Sequence, residues 1–244
     1  VIRPLLIACG FLTRLPARTH DVQPAEFAAA AACFPLVGFG IGALALGLYA
    51  ACSQRLGAAL TASVLIAWSA LITGGLHLDG LADWFDGLGG GRGDPKRMLE
   101  IMRDPRIGAH GASALVIVLG TKLIALSQLS PAAAPMALLG APACARWAVV
   151  GLLCAFPSAR NEGLGQTFAQ QVKLRHALIA SAFLCAGMIW FGTSVLWPLL
   201  LTAAAAGALG AWARLRLGGL TGDVHGAAIE LCELVFLVSC ARSG

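Results

Sequence analysis

The sequence predicts an all-α, polytopic membrane helix bundle, and two observations carry that expectation. Of 244 residues, 58% are hydrophobic and only 12% are charged, whereas a soluble domain carries roughly 25% charged residues. The mean hydropathy is +0.80, too high for a surface that faces water on all sides. Second, apolar runs recur along the chain, at about 33–52, 58–76, 112–130, 136–156, 177–197, 199–213 and 227–241. A span needs about 20 apolar residues, so these runs predict about seven transmembrane segments. They leave no room for a separate soluble domain, and residues 1–244 are expected to form one integral membrane domain in a lipid bilayer.

Taken in order, the chain opens with Val1 to Gly10, a short apolar run with Arg3 and no small-residue cleavage site. Arg14 and Arg18 follow, so this start reads as an interfacial or short buried helix and not a signal peptide. In the first long run, Gly38, Gly42 and Gly47 suit a close helix-packing seam better than a phosphate loop. The second run leads directly into His77-Leu78-Asp79-Gly80-Leu81-Ala82-Asp83-Trp84-Phe85-Asp86-Gly87. Asp79, Asp83 and Asp86 stand at i, i+4 and i+7, which places three carboxylates on one helix face. Like charges repel, so the face is best satisfied by a cation, and oxygen-only donors suit Mg2+. His77 reads as a ligand or base, or as a hydrogen-bonded structural residue.

A basic loop follows. Gly89-Gly90-Gly91 precedes Arg92, Lys96, Arg97, Arg103 and Arg106, and glycines joined to these cations read as an anion clamp. Residues 79–111 thus form the expected acidic and basic active-site loop. Asp94 before Pro95 predicts a helix entry, with a short amphipathic helix to about Arg103. Arg160, in the polar stretch 158–165, is expected as a second phosphate contact. The stretch 218–226 brings Asp223 into the last helix, followed by Glu230 and Glu233. Carboxylates in an apolar helix are costly unless paired or metal-bound, and Arg146 is the expected partner. Eight cysteines are scattered without a Cys-x-x-Cys pair, which argues against a disulfide framework or a zinc site.

Basic residues set the orientation. With the N-terminus in the cytoplasm, only Arg55 and Arg242 fall on the opposite side, as the positive-inside rule expects. The net charge of +5 then needs no nucleic acid to explain it. Nearly all the acids share the cytoplasmic side, the pattern of an enzyme fed from that compartment. A transporter would place ionisable groups at mid-membrane, and only Lys122, Arg146, Glu230 and Glu233 are candidates there.

Longer motifs add a family. Gly-Gly-Leu-His-Leu-Asp-Gly-Leu-Ala-Asp-x-x-Asp-Gly at 74–87, Met-Leu-Glu-Ile-Met-Arg-Asp-x-Arg-Ile-Gly at 98–108 and Gly-Gly-Leu-Thr-Gly-Asp at 218–223 closely resemble the cobalamin synthase, or adenosylcobinamide-GDP ribazoletransferase, family. Phe-Leu-Thr-Arg-Leu-Pro at 11–16 and Phe-Pro-Leu-Val-Gly at 34–38 are similar to its N-terminal part. The resemblance implies a Mg2+-dependent, multi-pass enzyme of the bacterial inner membrane. It would join adenosylcobinamide-GDP to α-ribazole, or to α-ribazole 5′-phosphate, and release GMP. On that reading Asp79, Asp83, Asp86 and Asp104 are the expected metal ligands, with Asp223 an alternative to Asp104. Asp86 or Asp223 is the expected proton acceptor. Arg92, Lys96, Arg97, Arg103, Arg106 and Arg160 would hold the phosphates, with His77 and Glu230 as further candidates. Homo-oligomerisation is left open.

A looser similarity links Asp83-x-x-Asp86-Gly87 to the CDP-alcohol phosphatidyltransferases. Gly90-Gly91 stand where that family has Ala-Arg, and Gly108 stands where its last Asp would follow Asp104, so its general-base assignment is not carried over. A lipid head-group transferase and a transporter are the competing readings.

Overall fold

An uninterrupted apolar chain can satisfy its backbone in lipid only by coiling into helices. The computed structural model describes residues 2–17, 21–159 and 171–241. Its helices are α1 Ile2–Leu12, α2 Pro24–Ala31, α3 Phe34–Cys52, α4 Ala58–Thr73, α5 Leu76–Gly90, α6 Pro95–Ile101, α7 Ala109–Ser127, α8 Ala134–Ala155, α9 Leu174–Met188, α10 Leu196–Leu217 and α11 Gly222–Ala241. A 3-10 segment, Ile189–Val195, joins α9 to α10.

Helices α3, α7, α8 and α11 are each long and apolar enough to cross a membrane, and Leu174–Leu217 is a fifth such stretch. Helices α4 and α5 make a sixth candidate only as a pair, bent by 91°. The architecture is the expected multi-pass bundle, and among the described residues five helical stretches, or six with the bent pair, meet the length and composition of a span where about seven were expected. Glycines mark the two irregular places in these stretches. Gly74 and Gly75 adopt φ of 63° and 72°, a left-handed region open to glycine at little cost, and they turn α5 sharply away from α4. Gly192, at φ 56° and ψ −140°, breaks what is otherwise one apolar stretch of 44 residues. The two runs expected at 177–197 and 199–213 correspond to α9 with the 3-10 segment and to α10.

Small residues set the central packing. A Cβ on Gly38 would run into the backbone of Pro142 and Ala143, and one on Gly42 would meet the Leu138 carbonyl. Helix α3 therefore lies directly against α8, as the small-residue seam predicts. Gly47 is not part of it, since nothing lies within 4 Å of its Cβ position. At the N-terminal end, Arg3 pairs with Glu26 at 2.7 Å, and Phe11 and Phe27 meet edge to face at 4.9 Å. The Arg14 amide donates to the Ile72 carbonyl at 2.8 Å, which ties the segment after α1 to the end of α4.

Helix α5 is held across the bundle by its apolar side. Trp84 is fully buried and packs edge to face on Trp212 of α10 at 5.7 Å. The glycines at the end of α5 continue the helix to Gly90, where a loop was expected from Gly87. Their lack of side chains makes room for α6 and α7. A Cβ on Gly87 would crowd Met102, one on Gly91 would crowd Met98, and one on Gly89 would strike the His110 ring. The run is thus a packing surface, which is why it is helical.

Candidate active site

Three separated stretches meet at one edge of the bundle. The first is the acidic helix α5, on which Asp79 is exposed, Asp83 half-buried and Asp86 buried. The second is the basic segment from Arg92 to Arg106. The third is the first turn of α11, with the chain leading into it.

Close backbone approach brings the first and third together. A Cβ on Gly80 would sit 2.8 Å from the carbonyl oxygen and 3.1 Å from the Cα of Asp223. One on Gly226 would lie 3.3 Å from the His77 backbone. Glycine on both helices lets α5 and α11 touch backbone to backbone. Asp223 therefore lies beside Gly80, between the turns that bear Asp79 and Asp83. Its own turn is fixed by Thr221, whose hydroxyl donates to Asp223 Oδ2 at 3.2 Å and accepts from the Val224 amide at 3.3 Å. The approach to α11 is clamped as well. The Ala159 amide donates to the Leu220 carbonyl at 2.9 Å, and the Leu220 amide donates to the Pro157 carbonyl at 2.8 Å.

Asp86 has a different environment from its two neighbours in the motif. Its Oδ2 accepts from the Gly108 amide at 2.7 Å and its Oδ1 from the Gly111 amide at 2.8 Å. Both donors lie at the start of α7, where N–H groups lack helical partners and favour a carboxylate. A Cβ on either glycine would collide with this carboxylate. Asp86 thus ties α5 to α7 and closes the basic loop.

Arg92, Lys96, Arg97, Arg103 and Arg106 are all exposed on that loop. Asp94 caps α6 as expected, accepting from the Lys96 amide at 3.0 Å. Met98 and Met102 are buried and anchor the short helix from below. Asp104 and Arg106 face each other, with Arg106 Nε and Nη2 donating to the two carboxylate oxygens at 3.0 and 2.7 Å. Those hydrogen bonds, together with the Arg106 amide, hold the Asp104 carboxyl at about 2. Arg160 lies outside the described residues.

Of the remaining candidates, His77 is buried, and neither ring nitrogen has a hydrogen-bond partner among the described residues. Glu230 sits inside the bundle, where it pairs with Lys122 at 2.7 Å. The expected partnership of Arg146 is with Glu233, at 2.8 Å. Sequence spacing could not show the contact of Gly80 with Asp223; the only signal was a glycine in each of the two motifs.

Among the described residues no three His, Cys, Asp or Glu side chains are gathered to hold a metal ion. The donor chemistry still fits Mg2+. The exposed side of α5 offers carboxylate oxygens one turn apart, and Mg2+ is commonly held by one or two carboxylates plus substrate phosphates and water.

The cobalamin-5-phosphate synthase family matches residues 4–241. The adenosylcobinamide-GDP ribazoletransferase of Stutzerimonas stutzeri is 42% identical over 240 residues, covering 98% of this chain and 97% of the relative. That of Pseudomonas paraeruginosa is 41% identical over 247 residues, 98% of each chain. That of Thiobacillus denitrificans is 40% identical over 243 residues, 97% of this chain and 94% of the relative. No solved structure matches. The family match spans all three stretches, and the chain belongs to the cobalamin-5-phosphate synthase family.

Proposed function

We propose that this chain is an adenosylcobinamide-GDP ribazoletransferase, which joins adenosylcobinamide-GDP to α-ribazole or its 5′-phosphate and releases GMP. The observation that supports it best is the meeting of the acidic side of α5, its basic loop and the first turn of α11, in a chain about 40% identical to transferases of that name.

The geometry supports the following roles. Arg92, Lys96, Arg97 and Arg103 form an exposed cationic rim suited to a diphosphate. Asp79 and Asp83 are the residues that would hold Mg2+, with Asp223 beside them. The ion would neutralise charge on the bridging diphosphate and on the departing GMP. A ribazole hydroxyl forms the new bond to the phosphorus attached to cobinamide. The bond from that phosphorus to the GMP oxygen breaks, and the hydroxyl proton passes to a carboxylate. Asp223 suits that task better than Asp86, whose two oxygens both accept backbone amides. Asp86 positions the loop. The site faces the cytoplasm of the inner membrane, following the distribution of Arg and Lys.

The test is GMP release by the purified protein with both substrates, with and without EDTA. Release that requires a divalent cation is expected. Turnover insensitive to the chelator would remove the metal role. Activity on CDP-diacylglycerol in place of the GDP substrate would overturn the assignment, as would liposome uptake without GMP release.

A further inference from the structure

Helices α3, α4, α7, α8 and α11 pack in a closed ring, each against two neighbours. Among them lies a half-open pocket with a cavity volume of about 70 Å3. Most of the wall is aliphatic, including Ile41, Leu65, Leu119, Leu138 and Leu237, and Leu78 of α5 also borders it. One strip is ionic, with Lys122 from α7 and Glu230 and Glu233 from α11.

Lys122 Nζ donates to Glu230 Oε2 at 2.7 Å and to Glu233 Oε2 at 2.8 Å. Behind them, Arg146 Nη1 donates to Glu233 Oε1 at 2.8 Å and to the Pro142 carbonyl at 3.1 Å. The four side chains are between 0% and 9% exposed. Two cations and two carboxylates cancel. The hydrogen bonding does not close. An ammonium has three N–H groups, and two are used. Glu230 Oε1 accepts no hydrogen bond among the described residues. The ionic strip therefore turns one spare donor and one spare acceptor toward the pocket with no net charge, the Ser69 hydroxyl also borders it, and Arg146 Nε and Nη2 stay unpaired behind the strip.

Ionisable groups within a membrane bundle are costly and mark ligand paths or sites by default. The complement of a spare donor and acceptor on a neutral wall is a group that both accepts and donates while uncharged. A hydroxyl or an amide does so. An anion or a cation would leave an unbalanced charge in an apolar interior. Water could serve the polar strip, but aliphatic walls like the remainder stay dry and suit an apolar body. We infer that this chamber binds an uncharged amphiphile whose hydroxyl or amide head rests on Lys122 and Glu230. Such a head could belong to a neutral membrane lipid or to an uncharged part of the reaction's own substrates. The inference does not depend on the assigned reaction.

The test compares four probes of one chain length, 1-decanol, decanamide, decanoate and decylamine, on purified full-length protein in nanodiscs. Binding is read by native mass spectrometry and by the unfolding midpoint. The two neutral probes should bind saturably, at least about tenfold tighter than the charged ones. Glu230→Gln leaves one uncompensated cation, so decanoate should gain on decanol. Lys122→Met leaves an excess carboxylate, and decylamine should gain. A merely structural ion cluster would not exchange its ligand preference in this way. Equal binding of all four probes by the wild type would overturn the inference, as would the absence of saturable binding. Should the variants fail to fold, the wild-type ranking decides alone. A neutral lipid carried through purification and displaced by decanol would identify the first source. A decanol-dependent rise in KM at constant kcat would identify the second.

Discussion

Helix α11 carries three carboxylates, and its first turn and its middle treat them differently. Asp223, in the first turn, is half-buried and sits beside Gly80. Glu230 and Glu233, two to three turns deeper, are buried and locked to Lys122 and Arg146 at 2.7 to 2.8 Å. At the edge, water shares in solvating the charge, and the Thr221 hydroxyl donates to Asp223. In the interior the desolvation cost must be met by direct pairing. On the proposed function, one helix thus separates charge used for chemistry from charge balanced within the protein.

This contrast is open to breakage at both ends. The largest effect is expected at the edge. Asp83→Asn should lower GMP release by at least on the order of 10²-fold while the protein stays folded and monodisperse in detergent. A variant that unfolds would show that Asp83 is structural, which is the role assigned to the interior. Next comes Glu233→Ala, which leaves Arg146 and Lys122 short of a carboxylate. Removing one member of a buried pair costs roughly 3–5 kcal/mol, and unfolding by SDS titration in mixed micelles should read it. Loss of activity without loss of stability would contradict the division.

Asp86→Asn probes the boundary between the two. Asn keeps one acceptor but presents an NH2 to a second backbone donor. Turnover should fall by roughly 10- to 100-fold, the usual effect of losing a supporting contact at a metal site. Hydrogen exchange at the Gly108 and Gly111 amides should quicken, while Mg2+ dependence keeps its midpoint. A shifted midpoint would mean that Asp86 holds the ion directly.

The fold class and the family were legible from composition and motifs, because a lack of charge and a long exact-order motif need no tertiary information. The acidic spacing at Asp79, Asp83 and Asp86 marked the right helix. It did not reveal that the third carboxylate turns inward, because i+7 spacing fixes a face only relative to whatever packs on it. Gly108 and Gly111 lie more than 20 residues from Asp86, beyond any local pattern. The glycine run at 87–91 misread as loop for a related reason. Glycine marks both a flexible chain and a close contact, and only Met98, Met102 and His110 on the facing elements decide between them. Arg146 was expected to pair with an acid of α11. The role of Lys122 in bridging Glu230 and Glu233 was not, since α7 gives no sequence cue to its rotation.

The smallest effect is expected at Asp104, and its sign is informative. Its carboxyl is held at about 2 by Arg106, below the ordinary value of about 3.9. A lowered value means that whatever the pair contributes to stability is complete above the ordinary value. It is lost only as pH falls toward 2. Between about pH 5 and 8 any difference in unfolding midpoint between the wild type and Asp104→Asn should therefore be small, as for exposed pairs generally, and constant with pH, and should narrow only as pH falls toward 2. Activity gives the sharper reading. Without its acid, Arg106 joins Arg92, Lys96, Arg97 and Arg103 as another unneutralised cation on the rim. KM for the GDP substrate should then fall by about two- to threefold at low salt and return to the wild-type value as salt screens the rim. Had Asp104 been needed to hold Mg2+, the same substitution would abolish turnover. One variant thus separates a carboxylate that tunes the cationic rim from one that belongs to the acidic face of α5.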